Sequence, residues 1–395
     1  MDPGWHDGPV QCDYFDAGAC RSCTLMGVPY ADQLAAKQAH VAQRLAEVAP
    51  ELTWEPPFAS SEDGFRNKAK LVVGGRPGDI TLGILDADGR GVDLRSCGLY
   101  SPELARSFAP VKAWLDRLQV PPYDVPRRRG EIKHVLVTVN PRGELMVRLV
   151  LRTDRHLERL RSDLPRLQAA LPSLRVLSVN LQPEHKAVIE GAVEEVVTEH
   201  DHLVMDVAGL PLRLRPHSFF QTSTRAAEAL YESARRWIRD VAPASVLDLY
   251  CGVGGFALTA AGSTRGMPVH GIEIAQEAVV AARQAATDLD LDVRFTVGDA
   301  SGAVPTADLV IVNPPRRGIG PLAETLEAGD ARWIIYSSCN VESLARDLEQ
   351  MTSWRPVRAR LVDMFPQTDH HEVIVLLERG AEPPSPSRMD VNGVS

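Results

Sequence analysis

The sequence predicts an α/β protein that combines a doubly wound parallel sheet with a second region rich in antiparallel strands. From about residue 216 onward, short apolar strands alternate with amphipathic helices, an order that is typical of parallel sheets. Between about residues 53 and 214, apolar runs of strand length dominate, with two helical interruptions. There, Asn140-Pro141-Arg142-Gly143 separates two such runs as a hairpin turn would, which indicates antiparallel pairing.

The chain has 395 residues and is long enough for several domains, because one domain usually holds roughly 100 to 200 residues. We predict a helix from Ala31 to Val48 and a disordered tail where Pro, Ser and Asn accumulate. The predicted parts are an N-terminal cap, a β-rich central domain, a C-terminal domain and the tail, at residues 1–52, 53–215, 216–379 and 380–395. The main predicted strands lie at 70–73, 80–85, 135–139, 146–151 and 176–181, and then at 246–249, 269–272, 309–312, 333–336 and 373–377.

The overall composition is that of a soluble globular protein. Apolar residues make up 44% of the chain, and no run approaches the roughly 18 uncharged apolar residues of a membrane span. No secretory signal is visible, so we expect a cytoplasmic protein in which those of the six cysteines that cluster serve as metal ligands or catalytic groups. The net charge of −9 argues against a nucleic-acid partner. Local basic clusters oppose that argument, at Arg66, Lys68 and Lys70, at Arg127 to Arg129 with Lys133, and at Arg316 with Arg317.

The ends of the predicted parallel strands are the candidate binding site, because ligands of doubly wound sheets bind beyond the carboxyl ends of the strands. The first strand runs from Asp248 through Tyr250 into a glycine turn at Gly252, where the backbone can approach a nucleoside cofactor closely. Glu273 ends the next strand and is placed to accept hydrogen bonds from ribose hydroxyls, while Asp299 is placed to meet the adenine side. The glycine spacing also satisfies the dinucleotide pattern, so NAD remains an alternative on this motif alone.

Three later segments carry side chains suited to chemistry. Asn313 precedes two prolines at a strand end, where its amide can read a nucleobase edge. Cys339 ends the next strand before a predicted helix, whose N-terminus would stabilise a nucleophilic thiolate. Residues 363–372 hold acids and histidines that permit a metal site. Two adjacent histidines do not readily share one side of a strand, however, so Glu372 as a general base is the preferred interpretation.

The remaining cysteines form a group near the N-terminus. Cys12 precedes the CxxC pair of Cys20 and Cys23, a pattern that suggests either zinc or an iron–sulfur cluster. Thiolate ligands alone do not choose between the two. Cys251 lies in the glycine turn, and we expect it to pack against the cofactor.

Taken in order, the strand-end motifs resemble those of the RNA 5-methyluridine methyltransferase family, up to Arg379. Each motif is weak alone, but the ordered set is specific, and a dehydrogenase does not explain it. The motifs are Phe219-Phe220-Gln221, Asp248-Leu249-Tyr250-Cys251-Gly252, Asn313-Pro314-Pro315-Arg316, Ser338-Cys339-Asn340 and Thr368 to Glu372. The resemblance implies a Rossmann-like domain that uses S-adenosylmethionine, a β-rich central domain that helps to bind RNA, and an N-terminal iron–sulfur cluster region.

The resemblance also implies roles for individual residues. Cys339 would be the nucleophile that adds to carbon 6 of uracil, and Glu372 would remove the hydrogen from carbon 5. Cys97 would join Cys12, Cys20 and Cys23 as the fourth ligand of a structural [4Fe-4S] cluster. The implied contacts of S-adenosylmethionine are Gln221, Tyr250, Glu273 and Asn313, and the strand ends add Asp248, Gly252 and Asp299 as candidates.

The cysteine set begins at Cys12, which leaves no room for the N-terminal TRAM domain of some relatives, and the transfer-RNA member lacks the cluster. The predicted substrate is therefore a uridine of 23S ribosomal RNA, bound by a monomer with no membrane partner. The candidate RNA contacts are Arg66-Asn67-Lys68 and Arg127 to Arg129. The alternatives are a transfer-RNA substrate, another S-adenosylmethionine-dependent enzyme such as an amino-group methyltransferase, and a non-catalytic RNA-binding or iron–sulfur protein.

Overall fold

The computed structural model describes residues 10–186, 188–300 and 306–380. Apart from Gly380, the predicted disordered tail lies outside these residues. In these ranges the helices are α1 (Asp13–Asp16), α2 (Tyr30–Leu45), α3 (Pro102–Leu118), α4 (Leu157–Ala170), α5 (Thr224–Val241), α6 (Gly255–Ser263), α7 (Gln276–Asp288), α8 (Leu322–Ala328) and α9 (Val341–Gln350). None of them is both long enough and apolar enough to cross a membrane.

The strands form two large sheets and one hairpin. Those before the C-terminal part are β1 (Thr53–Trp54), β2 (Lys68–Arg76), β3 (Asp79–Leu85), β4 (Gly91–Asp93), β5 (Ile132–Val139), β6 (Leu145–Leu151), β7 (Leu174–Leu181), β8 (Val193–Val196), β9 (Leu203–Val207) and β10 (Leu210–Leu214). Those of the C-terminal part are β11 (Val246–Leu249), β12 (Val269–Glu273), β13 (Arg294–Val297), β14 (Leu309–Val312), β15 (Trp333–Ser338), β16 (Trp354–Val362) and β17 (Glu372–Arg379).

The C-terminal sheet has the strand order β1-β16-β17-β15-β14-β11-β12-β13. The five neighbouring strands from β15 to β13 run parallel, which confirms the predicted parallel sheet. Strand β17 inserts between β15 and β16 and runs antiparallel to both. Strands β11 and β14 are buried along their whole length because helices cover both faces, so their sequences read as continuous apolar runs. The carboxyl ends of the parallel strands therefore meet at one edge.

The central sheet has the order β4-β3-β2-β5-β6-β7-β8. Its pairs are antiparallel except for β6 and β7, and the predicted hairpin at Asn140 to Gly143 is confirmed by the pairing of β5 with β6. Helices α3 and α4 cover one face, where Leu118 and Leu160 join an apolar core with strand residues such as Val137. Helix α3 begins after Ser101, whose hydroxyl accepts a hydrogen bond from the backbone of Leu104.

Three segments outside the C-terminal part pack onto the C-terminal sheet. Strand β1 pairs with β16, and the β9–β10 hairpin shares a core with α5 and α7. Helix α2 lies against α9, where Val41 and Leu45 are fully buried among residues of the C-terminal core. We propose, therefore, a central domain shorter than the predicted 53–215, with its sheet strands between Lys68 and Val196.

Candidate active site

The turn after β11 forms the floor of the candidate site. Tyr250, Gly252 and Gly254 all have positive φ angles, of 60°, 53° and 90°. Such angles turn the chain sharply between the strand and helix α6, and glycine adopts them without steric cost. Gly254 caps α6, so the first backbone N–H groups of that helix lie beside the turn.

Two carboxylates shape this turn from behind. Glu273 accepts hydrogen bonds from the backbone N–H groups of Gly252, at 3.1 Å, and Ala275, at 2.9 Å. Asp248 is fully buried, and its Oδ2 accepts from the backbone N–H of Ala257 at 2.8 Å. Within the described residues its Oδ1 has no hydrogen-bond partner, and burial raises the pKa of this carboxyl to about 8. Asp248 thus links α6 to β11. It does not line the pocket, whose wall includes Tyr250, Cys251 and Gly252.

A pocket opens in front of the turn, and several of the predicted residues line it. Its wall includes Gln221, Tyr250, Gly252 and Asn313. Cys251, the leftover cysteine, is buried in the same wall. Glu273 and Asp299 are not part of that wall, but the charge of Asp299 contributes, after burial, to the raised pKa of Tyr250. The structure therefore brings four predicted residues together at the pocket, with Asp299 close to one of them.

The segment that carries Gln221 is held by the central sheet. Asn67, just before β2, is buried, and its side-chain amide donates to the backbone carbonyl of Gln221 at 3.1 Å and to Oγ1 of Thr224 at 3.0 Å. The backbone N–H of Asn67 also donates to the carbonyl of Thr222. One wall of the pocket therefore depends on the contact between the two sheets.

Sequence reasoning missed two exposed apolar side chains near this pocket. Phe219 is 73% exposed and lines the pocket, and Ile274, directly after Glu273, is 72% exposed. The sequence signal that could have identified Ile274 is its position directly after Glu273, an acid at a strand end. Phe219 belongs to the Phe219-Phe220-Gln221 motif, and nothing in that motif signals that its ring is exposed.

We expect Gly254→Ala to destabilise the protein by about 1 to 3 kcal/mol and to weaken cofactor binding. The φ of 90° is strained for alanine, and its Cβ would lie 2.9 Å from the ring of Phe295. Gly262→Ala, in the same helix, is the matched control, because its Cβ would meet nothing within 4 Å. Denaturant unfolding and calorimetric titration with S-adenosylmethionine measure both effects. Equal values for the two variants would contradict the prediction.

The candidate nucleophile and base meet at two neighbouring strand ends. Ser338, the last residue of β15, pairs with Val373 of antiparallel β17, so Cys339 and Glu372 come next to each other where the ladder ends. Oγ of Ser337 donates to Oε1 of Glu372 at 2.7 Å. Glu372 is 2% exposed and Cys339 is half-buried. The antiparallel insertion of β17 thus brings together two residues that are far apart in sequence.

The electrostatics of this pair favour neutral forms in the ligand-free protein. Burial raises the pKa of Glu372 to about 7, and the hydrogen bond from Ser337 opposes that shift. Burial and the nearby Glu372 raise the pKa of the Cys339 thiol, while Arg316 lowers it. The sequence led us to expect a thiolate stabilised by the N-terminus of α9. The pKa direction of Cys339 runs against that expectation, because burial and the carboxylate of Glu372 oppose ionisation of the thiol.

The turn after β14 lies against the same strand end. Asn340 caps α9, since its side chain accepts from the backbone N–H of Glu342 at 3.2 Å, and its amide donates to the carbonyl of Arg316 at 3.1 Å. This bond joins Asn340, the residue directly after Cys339, to the turn that follows Asn313. The motif that begins at Asn313 and the motif that contains Cys339 therefore form one structural unit.

The four N-terminal candidate ligands also come together, at a separate cavity of about 180 Å³. Cys12, Cys20, Cys23 and Cys97 all line it, together with Arg66. Burial, and then Cys97, raise the pKa of Cys23 to about 11. Throughout the part of the chain that the structure describes, no group of three or more His, Cys, Asp or Glu side chains is arranged to hold a metal ion.

Comparisons with known proteins point to one family. A family model described as tRNA (Uracil-5-)-methyltransferase matches residues 305–380, and one described as Methyltransferase small domain matches residues 230–326. The chain is 48% identical to the 23S rRNA (uracil(747)-C(5))-methyltransferase RlmC of Halothiobacillus neapolitanus, covering 94% of this chain and 100% of that protein. It is 45% identical to the RlmC of Escherichia coli O157:H7, with 93% and 99% covered.

A solved structure supports the fold over most of the chain. It is the crystal structure of Pyrococcus abyssi tRNA (uracil-54, C5)-methyltransferase in complex with S-adenosyl-L-homocysteine. The TM-score is 0.75 at 22% identity, and the match covers 90% of this chain and 85% of that one. At this identity the likeness shows the architecture, including the two sheets together.

The fold and the matched family models together first define a class, that of the α/β methyltransferases. At 48% identity over nearly the full length of its relative, the chain belongs to the RNA 5-methyluridine methyltransferase family. The family predicted from the ordered motifs is therefore confirmed.

Proposed function

We propose that this protein methylates carbon 5 of a specific uridine in 23S ribosomal RNA, with S-adenosylmethionine as the methyl donor. The observation that carries the proposal is the meeting of Cys339 and Glu372 at neighbouring strand ends, in the sheet whose strand ends also form the pocket of Tyr250 and Asn313. Relatives at 43–48% identity bear the name of this activity. A ribosomal RNA substrate also supports a cytoplasmic location.

In the proposed mechanism, Cys339 activates the uracil ring. Carbon 5 of uracil is a poor nucleophile until the thiolate adds to carbon 6, which moves the electrons of the C5–C6 double bond into an enolate. Because the pKa of the Cys339 thiol is raised, the thiol must first release its proton to solvent, which leaves Glu372 ionised for the later step. S-adenosylmethionine, when bound, supplies an electrophilic methyl group to carbon 5.

Glu372 then completes the proposed reaction. Carbon 5 still carries its hydrogen after methylation, and the carboxylate of Glu372 takes that proton. The C5–C6 double bond re-forms as the bond from Sγ of Cys339 to carbon 6 breaks, which releases the thiolate. A pKa of about 7 suits a base that works near neutral pH, and the hydroxyl of Ser337 holds the carboxylate in place.

The pocket residues keep their predicted roles as proposals. Gln221, Tyr250, Gly252 and Asn313 would contact S-adenosylmethionine or the target base, and Glu273 and Asp299 would bind its nucleoside end. For Asp248 we propose a positioning role, because it is buried behind the turn and bonded to Ala257. Exposed Phe219 and Ile274 would supply apolar faces, since a uridine must leave its stack to be modified and aromatic rings stack on flipped bases.

We propose that RNA also binds the arginine turn before β5. Arg127 pairs with Asp124, whereas Arg128 and Arg129 are exposed beside a cavity of about 320 Å³. Tyr123, Lys133 and His134 line that cavity, and Nζ of Lys133 lies 4.7 Å from the centre of the tyrosine ring. Burial, in the first place, and then the charges of Lys133 and Lys70 lower the pKa of His134 to about 4. Such a surface suits phosphates and an unstacked base.

We expect Arg129→Gln to weaken RNA binding and to reduce the slope of log K against log salt by roughly 0.7 to 0.9, the loss of one phosphate contact. Arg265→Gln is the control, because Arg265 precedes β12 and so lies at the opposite end of the C-terminal strands. Filter binding of a 23S RNA fragment at several salt concentrations measures both. An unchanged slope for Arg129→Gln would remove this turn from the RNA surface.

For the four cysteines we propose an iron–sulfur cluster of the [4Fe-4S] type. The donor set fits, because all four thiols face one cavity and Arg66 beside them would offset the charge of the thiolates. A single zinc ion would need all four sulfurs within about 2.3 Å of one point. Four thiolates suit either metal centre, and the resemblance to the family is what favours the cluster over zinc. Iron and sulfide analysis of anaerobically purified protein tests this assignment.

Nucleoside mass spectrometry tests the proposed function most directly. Ribosomal and transfer RNA from cells that lack the gene would be compared with RNA from the parent strain. Loss of 5-methyluridine from 23S RNA alone is the expected result. Loss from transfer RNA alone would keep the chemistry and change the substrate, an alternative suggested by the family model named for tRNA. No loss from either fraction would overturn the proposal.

A further inference from the structure

The loop that precedes Glu372 is mostly buried and is held by contacts from other parts of the chain. It joins β16 to β17 through residues 363–371, and most of these residues are buried. Gln367 in its middle is fully buried and has a φ of 68°, a left-handed conformation that a glutamine rarely adopts. A strained and buried turn persists only where surrounding contacts hold it.

Helix α2 holds the side chain of Asp363 at the start of this loop, while Phe58 and Ser60 bond to the backbone of that residue. Nζ of Lys37 forms an ion pair with Oδ1 of Asp363 at 2.7 Å, and the two side chains are only 3% and 0% exposed. The hydroxyl of Tyr30 donates to Oδ2 of Asp363 at 2.9 Å, and Lys37 also donates to the carbonyl of Phe365 at 3.1 Å. Asp363 directly follows Val362, which pairs with Glu372 in the sheet.

The middle and end of the loop are held by the same N-terminal region. The amide of Gln33 makes two bonds to Gln367, donating to its Oε1 and accepting from its backbone N–H, both at 2.9 Å. The backbone N–H of Leu25 donates to the carbonyl of Gln367 at 3.0 Å. Thr24, directly after Cys23, donates to Asp369 at 3.3 Å. We call residues 24–37 the N-terminal clamp.

We propose that the N-terminal clamp positions Glu372 for proton removal, with the ion pair of Lys37 and Asp363 as its central contact. This inference rests on the proposed function. The clamp fixes both ends of the loop, and the loop fixes where β17 begins, at Glu372. The clamp also starts one residue after Cys23, so the cysteine cavity and the base belong to one continuous structure. Lys37 and Asp363 are positioning residues and need not touch the substrate.

The test separates the two chemical steps. Asp363→Asn keeps the shape of the side chain and removes its charge. We expect methyl transfer in a single turnover to stay within about threefold of wild type, while decay of the RNA adduct on Cys339 slows roughly tenfold or more. Adduct lifetime is read on denaturing gels after mixing with radiolabelled S-adenosylmethionine and a 23S RNA fragment. In steady state kcat and KM should fall together, because slowing a step after methyl transfer leaves kcat/KM nearly unchanged.

Two further variants separate an effect on the position of Glu372 from a loss of folded protein. Gln33→Ala removes only neutral hydrogen bonds, and we expect a smaller slowing of adduct decay, of about threefold. Lys37→Arg keeps the charge and should retain most of the wild-type decay rate. The control is Asp116→Asn in α3, another aspartate paired with a lysine, Lys112, at 2.6 Å but remote from β17. Its adduct should decay as in wild type even if its melting temperature falls.

The outcomes are distinct. Slow adduct decay confined to the clamp variants supports the inference. If methyl transfer and adduct decay fall together in proportion to the folded fraction, or if adduct decay is unchanged, the clamp is only structural and the inference is wrong. If wild-type protein neither methylates the RNA nor forms an adduct, the proposed function fails, and the clamp's role in elimination fails with it.

Discussion

Replacing Cys339 with serine is expected to abolish methyl transfer, by a factor of roughly a thousand or more in kcat. A serine hydroxyl at this strand end would remain protonated, because its intrinsic acidity is far lower than that of a thiol and burial with Glu372 already opposes ionisation here. Without addition to carbon 6, carbon 5 of uracil lacks the electron density to attack a methyl group. No covalent RNA adduct should appear with this variant.

Binding measurements show whether the loss is chemical. Cys339 does not line the pocket of Tyr250 and Asn313, which is the proposed cofactor site, so Cys339→Ser should bind S-adenosylmethionine with the affinity of wild type. Cys251→Ser is the matched control, because Cys251 is the other cysteine of the site and lies in the wall of that pocket. This change leaves the nucleophile intact. Full methylation of RNA by Cys339→Ser would contradict the covalent mechanism and would favour an amino-group methyltransferase.

Replacing Glu372 with glutamine is expected to have the second largest effect, a stall after methyl transfer. The amide cannot take the proton from carbon 5, so the methylated base should remain bound to Cys339, and turnover should fall by roughly a hundredfold or more. The accumulated species is a slowly migrating protein–RNA band that carries the labelled methyl group. Fast turnover without any such band would remove Glu372 from the mechanism.

The same variant has an independent readout in its stability. The pKa of Glu372 rises from 4.5 to about 7 on folding, so the folded protein binds this proton more tightly than the unfolded chain. The stability linked to that proton is full below the unfolded value and is lost as the pH rises through about 7, a difference of about 3 kcal/mol. Glu372→Gln should therefore raise the melting temperature at about pH 8 and leave it unchanged at about pH 4. An equal shift at both pH values would contradict the buried, shifted carboxyl.

Much of the fold followed from local patterns. Apolar runs of strand length, alternating with amphipathic helices, predict a parallel sheet because only a helical crossover returns the chain to a parallel neighbour. The hairpin at Asn140 to Gly143 followed from its turn residues in the same way. Since parallel strands share one carboxyl edge, the sequence also predicted that Tyr250 and Asn313 would meet, and both line the pocket.

Other features have no local signal, because they depend on which distant surfaces pack together. Nothing in the sequence near Thr53 indicates that β1 joins the edge of the C-terminal sheet, and α2 reads only as an amphipathic helix until it buries Val41 and Leu45 against α9. The direction of the pKa of Cys339 was likewise hidden. It depends on burial and on Glu372, which is 33 residues away in sequence and adjacent only through β17.

By itself, the sequence determined the parallel sheet, the strand-end motifs and the family, because those depend on residue types at short spacings. Only the tertiary structure decided that a buried ion pair joins Lys37 to Asp363 and that a left-handed glutamine turn sits before Glu372. The physical reason is that a buried charge is tolerable only beside a specific partner, and that partner is chosen by packing over a separation of 326 residues.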